Sequence, residues 1–208
     1  MYLLDILGTF AFALSGAYQA KNAKLNIFSI IFLALITALG GNSIRDIIID
    51  QAPLFFLRDP IYISICVFAG VIIFYSPLFF QANKSIFRFI DSIGLASFSI
   101  IGTYITYQNI FPVTNPTLMS FFACIFLGII TACAGIIIRD IIIGSTPSMF
   151  KPGSNYILSA FWGSFIYFVF YFFNPYLGII LSIITTITLR EIVSQNGFIN
   201  KLNNKEPT

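Results

Sequence analysis

Seven runs of mostly apolar residues, at about 3–20, 27–49, 61–80, 90–108, 118–143, 156–173 and 175–193, leave this chain little choice of fold. Each approaches the roughly 20 residues that an α-helix needs to cross the hydrocarbon core of a bilayer. A backbone inside that core has to satisfy its own hydrogen bonds, which favours helices over open strands. The expected fold is all-α and integral to a membrane. Composition agrees, with 58% hydrophobic and only 9% charged residues, where soluble domains carry about a quarter. A soluble domain this apolar would lack the polar surface to cover its own core.

Several function classes recede on the same grounds. The net charge of +3 is small and arises at the flanks of apolar runs, which gives nucleic-acid binding no support. Histidine is absent, which removes the commonest metal ligand and neutral-pH general base. Cys66, Cys124 and Cys133 lie inside apolar runs without CxxC spacing, so a disulfide framework or zinc site is not expected. The chain reads as a non-enzyme without a cofactor.

Proline and basic residues mark the connections. Asp59-Pro60, Asn115-Pro116 and Asn174-Pro175 each read as an N-cap followed by proline at the first helical position. The stretch at Ala17–Ala20 resembles a signal-peptidase site, yet no basic residue precedes span 1 and the span has a counterpart later in the chain. Lys21, Lys24, Lys84, Arg88, Lys151, Lys201 and Lys205 fall on one side of a seven-span layout, with Arg190 at the end of span 7, while Arg58 stands alone on the other. The positive-inside rule then puts the C-terminus in the cytoplasm and the N-terminus outside.

A second regularity lies within the spans. Ile-Thr-Ala-Leu-Gly-Gly-Asn-Ser-Ile-Arg-Asp (36–46) recurs 94 positions later as Ile-Thr-Ala-Cys-Ala-Gly-Ile-Ile-Ile-Arg-Asp (130–140). At an offset of 86, Asp5, Gly8, Phe12 and Gly16 match Asp91, Gly94, Phe98 and Gly102, and Pro53, Phe56 and Tyr62 match Pro147, Phe150 and Tyr156 at 94. Spans 1–3 (repeat one, 1–82) and 4–6 (repeat two, 87–173) therefore read as two copies of one three-helix unit. Three is odd, so adjacent copies enter the membrane from opposite faces. The expected architecture is two inverted three-helix repeats plus one C-terminal helix (175–193), a single membrane domain over 1–195, and a polar cytoplasmic tail over 196–208. In proteins built this way, solute sites gather near the midplane, at the repeat interface.

Positions four apart share a helix face. Thr37, Gly41 and Arg45 thus form one stripe, and Thr131, Gly135 and Arg139 another. An arginine inside an apolar span is costly and marks a functional site, although snorkelling to the interface is the plain alternative. Asp46 and Asp140 project about a quarter-turn away and are not expected to face the adjacent arginines; capping or anchoring is their other reading. By depth, the expected partners are Arg45–Asp5 near the outer end and Arg139–Asp91 near the inner end. Gly40 and Gly41 are open to two roles, close helix packing or local unwinding that frees carbonyls beside a water-filled cavity. Asn42 and Ser43 favour a break there; Ala134 and Ile136 around Gly135 favour a milder bend.

The seven spans and the Gly-Gly-x3-Arg-Asp motif with its echo resemble the prokaryotic trimeric intracellular cation (TRIC) channel family, also labelled a glycine-transporter-like family. The resemblance covers about residues 2–195. Gly40, Gly41, Arg45 and Asp46 fit the family's Gly-Gly-Gly-x-x-Arg-Asp form, with Asn42 in place of the third glycine. In the second copy Gly135, Arg139 and Asp140 fit, while Ala134 and Ile136 depart. The resemblance implies a homotrimer with one pore per subunit, passing monovalent cations, chiefly K⁺, between spans 2 and 5. On that reading Thr37, Gly40, Gly41, Ser43, Arg45, Asp46, Thr131, Ala134, Gly135, Arg139 and Asp140 line or gate the pore. Asp5 and Asp91 balance charge, cations pause near Thr37 and Thr131, and lipid is a further partner. The alternative is a secondary transporter of a small amino acid such as glycine, whose carboxylate would meet Arg45 or Arg139.

Overall fold

The computed structural model describes residues 1–75, 84–111, 117–151 and 154–203, and the described residues are helical with short connections. α1 spans Tyr2–Asn22 and α2 Ile27–Ile48. A single turn, α3 (Phe55–Arg58), leads into α4 (Ile61–Tyr75). α5 (Lys84–Ile110) and α6 (Leu118–Ile142) follow, then a 3-10 turn over Ser148–Phe150, α7 (Tyr156–Tyr171) and α8 (Pro175–Asn203). α1, α2, α5 and α6 are long and apolar enough to cross a membrane, while α4 and α7 are shorter apolar helices.

Local chemistry accounts for the helix ends. Asn174 Oδ1 accepts from the Tyr176 and Leu177 amides, and Asp59 Oδ1 from the Ile61 amide at 3.0 Å, as the Asn-Pro and Asp-Pro pairs lead one to expect. Asn26 caps α2 through the Ser29 amide. Asn115 and Pro116 lie outside the described residues; the cap of α6 is Thr117, in a reciprocal box with Ser120. α2 and α6 stop in the same way, at left-handed residues 94 apart: Asp50 (φ 54°) and Gly144 (φ 78°). Behind them Gln51 N bonds Asp46 O and Ser145 N bonds Asp140 O, closing both helices on the carbonyl of the motif aspartate.

α1, α2, α5 and α6 form the centre, with α4 packed on α1 and α2, and α7 and α8 packed on α5. Contacts across this centre come in reciprocal pairs. Phe12 and Phe98 meet edge to face at 5.0 Å, and each ring lies over the other repeat's glycine, Phe12 on Gly94 and Phe98 on Gly8. Where α2 crosses α6, a Cβ on Gly41 would strike the Thr131 carbonyl and one on Gly135 the Thr37 carbonyl. The glycines thus let two backbones touch.

Two expectations change here. α2 runs unbroken through Gly40–Gly41, and α6 through Gly135, so these carbonyls stay in the helical ladder. Asn42 and Ser43 do not unwind the helix because each bonds locally, Asn42 to Arg45 and Ser43 to the Leu39 carbonyl. α8 also continues to Asn203, past the end expected at 193. Gly197 alone costs about 1 kcal/mol there, too little to stop a helix with no proline between its first residue, Pro175, and Pro207. The expected end of span 3 beyond Tyr75 and residues 204–208 of the tail lie outside the described residues.

Candidate functional site

Two clusters hold the buried charged residues Arg45, Asp46, Asp91, Arg139 and Asp140 of the central helices, one for each arginine of the repeated motif. In the first, Arg45 on α2 is 1% exposed. Its Nε and Nη2 donate to Asp46 Oδ1 at 3.0 and 2.5 Å, and its Nη1 to Asn42 Oδ1 at 3.0 Å. Asn42 Nδ2 passes the contact on to Asp5 Oδ1 at 3.3 Å, and the Tyr62 hydroxyl donates to Asp5 Oδ2 at 2.8 Å. Asp46 Oδ2 accepts the Phe55 amide, which ties the loop after α2 to the cluster.

The second cluster repeats the plan with different connectors. Arg139 on α6, also 1% exposed, donates to Asp140 Oδ1 from Nε at 2.8 Å, with Nη2 2.7 Å away. Its Nη1 reaches Ser15 Oγ on α1 at 3.1 Å, and Ser15 donates to Asp91 Oδ1 at 2.7 Å. Tyr156 donates to Asp91 Oδ2 at 2.8 Å, as Tyr62 does to Asp5. Asp140 Oδ2 accepts the Ser148 amide.

The pairing expected from helix geometry is therefore corrected. Asp46 and Asp140 do face the arginines beside them, because a guanidinium on its long stem curls back to meet a neighbouring carboxylate side-on. Asp5 and Asp91 are reached at one remove, through Asn42 and Ser15. Burial makes direct pairing the economical solution, since an unpaired buried charge costs several kcal/mol.

The hydroxyls and glycines lie between the clusters. Thr37 and Thr131 are fully buried, and each donates to a carbonyl one turn back, Leu33 and Leu127, at 2.6 Å. Gly16 and Gly102 press against these threonines. Gly41 and Gly135 occupy the α2–α6 crossing, Ala134 is buried beside it, and Gly40 and Ser43 are half-buried. In this conformation both threonine hydroxyls are sealed from solvent, and the two helix backbones touch at the crossing.

Two participants escape the sequence motif. Ser15 sits in a run of small residues and gives no signal of its own. Arg190, read from sequence only as an orientation marker, is buried on α8 and donates to Asp91 Oδ2 from Nη2 at 2.6 Å and to Ser92 Oγ from Nη1 at 3.2 Å. Its guanidinium lies 3.8 Å from the centre of the Tyr156 ring. A cavity of about 530 Å³ opens beside this cluster, lined among others by Ser15, Gln19, Asn22, Arg88, Asp91 and Tyr156. Among the described residues no group of three or more Cys, Asp or Glu side chains is placed to hold a metal ion.

The comparisons with known proteins fit this geometry. A sequence model of the family described as glycine transporter matches residues 2–77 and 88–172, the two halves that carry the two clusters. A UPF0126 membrane protein of Vibrio cholerae is 32% identical over 73% of this chain and 60% of its own length. The inner membrane protein YadS of Escherichia coli K12 is 29% identical over 73% and 70%. The chain thus spans less than two thirds of the Vibrio relative. Among solved structures, a prokaryotic TRIC channel in 0.5 M KCl superimposes with a TM-score of 0.84 at 25% identity, over 95% of this chain and 99% of that one. Another, described as the structural basis for conductance through TRIC cation channels, gives 0.81 at 26%, over 95% and 94%. The Rhodobacter sphaeroides TRIC trimeric intracellular cation channel orthologue, at 24% identity over 94% and 97% with a TM-score of 0.81, shares the fold.

Proposed function

Because this chain belongs to the family described as glycine transporter, and shares its fold with channels, we propose that it is a channel for monovalent cations, K⁺ among them. The reading is of a homotrimer in a bacterial inner membrane with a path inside each subunit. The observation that carries it is the near-complete superposition on a prokaryotic TRIC channel, at a TM-score of 0.84 over 95% of the chain. That protein is a channel by description; the conduction, the trimer and the cation come to this chain by likeness.

The internal pairing supports an inverted repeat with seven crossings. The Phe12–Gly94 and Phe98–Gly8 contacts, the Gly41–Thr131 and Gly135–Thr37 contacts, and the Tyr62–Asp5 and Tyr156–Asp91 bonds are what a pseudo-two-fold axis between the halves would generate. The basic residues around α1–α2, α5 and α8 support a cytoplasmic C-terminus and an external N-terminus.

The path we propose enters the 530 Å³ cavity beside Asp91, passes the α2–α6 crossing at Gly41 and Gly135, and leaves beside Asp5. The crossing is its constriction. Conduction requires α2 and α6 to separate there, which would uncover Thr37 and Thr131, whose hydroxyl oxygens keep lone pairs for a dehydrating cation while they donate to their own helices. Arg45 and Arg139 do not close the path to cations, because each is neutralised by its adjacent aspartate. Arginine-lined pores otherwise favour anions.

The family's own description favours a second reading, a carrier for glycine. Proteoliposomes separate the two. A channel releases K⁺ in proportion to its gradient, unaffected by glycine, and shows unitary currents. Saturable glycine uptake without such currents would replace the channel by the carrier.

A further inference from the structure

We propose that Arg190 makes cation passage directional, by cancelling the carboxylate at one mouth while its counterpart at the other keeps its charge. The inference rests on the channel reading above and names a regulation of that same path.

The two ends can be compared residue by residue. Asp5 and Asp91 occupy matching positions, each takes a tyrosine hydroxyl at 2.8 Å, and each is bridged to a buried arginine by one neutral side chain. Those arginines are already balanced by Asp46 and Asp140. What remains at each end is the charge on the farther carboxylate. At Asp5 the bonds come from Tyr62 and Asn42, both neutral, and among the described residues no ion pair reaches it. At Asp91 the ion pair with Arg190 is direct, at 2.6 Å. Arg190 is carried by α8, which has no counterpart in the other half, so the added cation is confined to one end. Arg88 on the rim of the adjoining cavity adds a second positive charge there, which Glu191 beside Arg190 offsets.

A conduit that is negative at the Asp5 end and neutral or positive at the Asp91 end concentrates cations at the first and depletes them at the second. Added to the constriction at the α2–α6 crossing, this raises the Asp91 side of the barrier and shifts its highest point towards that end. A cation arriving from the Asp5 side has then crossed the larger share of the applied voltage before reaching it, whereas one arriving from the Asp91 side has crossed the smaller share. Current from the Asp5 side to the Asp91 side is therefore the larger. One unit charge at several ångströms in a hydrated mouth alters local cation concentration about 2- to 5-fold, and salt screens the effect.

Arg190 also packs α8 against α5 and α7 through Ser92 and the Tyr156 ring. A purely structural role would lower stability when the residue is changed, without a charge-dependent change in current asymmetry. The test is single-channel recording of the full chain in symmetric KCl, comparing currents at equal and opposite voltages. The wild-type ratio should be about 2 to 5 at low salt and fall as salt screens the mouths. Arg190→Gln should bring it towards 1. Arg190→Lys, which keeps the charge, and Arg190→Gln with Asp91→Asn, which restores neutrality, should both keep the wild-type ratio. Should Arg190→Gln fail to assemble, Asp91→Asn decides, since an unopposed Arg190 should raise the ratio further. An unchanged ratio in Arg190→Gln or Asp91→Asn overturns the proposal, as does a double variant that behaves like Arg190→Gln. A wild-type protein without unitary currents overturns the channel reading itself.

Discussion

Arg45 and Arg139 are each held by the carboxylate next to them in sequence, while Asp5 and Asp91 stand one hydrogen bond further out. The order of mutational costs follows. Asp46→Asn or Asp140→Asn leaves a buried guanidinium unopposed and also weakens the loop amide each aspartate accepts, at a cost of about 3–5 kcal/mol. Asp5→Asn removes a group bonded only to neutral partners and should cost less, about 1–2 kcal/mol. Thermal unfolding in detergent, with the variants measured side by side, checks this ranking; equal losses at Asp5 and Asp46 would speak for Asp5 as the direct partner. The direct pairing was hidden in the sequence because a face argument tracks Cβ directions and ignores the reach of the arginine stem. Ser15 was hidden for a plainer reason: nothing in Ala-Leu-Ser-Gly-Ala sets one serine apart.

The helices α2 and α6 touch backbone to backbone, and single methyl groups should reveal it. Gly41→Ala and Gly135→Ala each place a carbon against a carbonyl on the other helix, which cannot retreat without moving α2 or α6. Each should cost about 1–3 kcal/mol as overpacking. At Gly40 the nearest atoms to a new Cβ, Gly135 Cα and the flexible Ile138 Cδ1, are 3.4 Å away, so Gly40→Ala should be mild, within about 1 kcal/mol. Gly144→Ala meets open space but inherits a φ of 78°, and should lose about 1 kcal/mol through backbone strain alone. Chemical or thermal unfolding of the four variants reads the series directly. The apolar helices, the Asp59 and Asn174 caps and the repeated motif could be found from sequence because hydropathy and fixed spacing encode them. Whether Gly40–Gly41 breaks or packs could not, because the outcome depends on what the other helix presents, here the Thr131 carbonyl.

α1, α2, α5 and α6 form the centre of the molecule, and α8 adds Arg190, which pairs with Asp91 at one of the two charged clusters. Residue spacing pointed to the matching Arg-Asp motifs; Arg190 at the end of span 7 looked like an ordinary flanking charge, since its partner Asp91 is nearly a hundred residues away. The central claim is that this arrangement conducts cations. The most direct measurement is the reversal potential of the purified chain in a planar bilayer between unequal KCl solutions. The account predicts discrete unitary currents that reverse close to the K⁺ equilibrium potential. Reversal towards the Cl⁻ potential, or saturable glycine uptake with no unitary current, would contradict it.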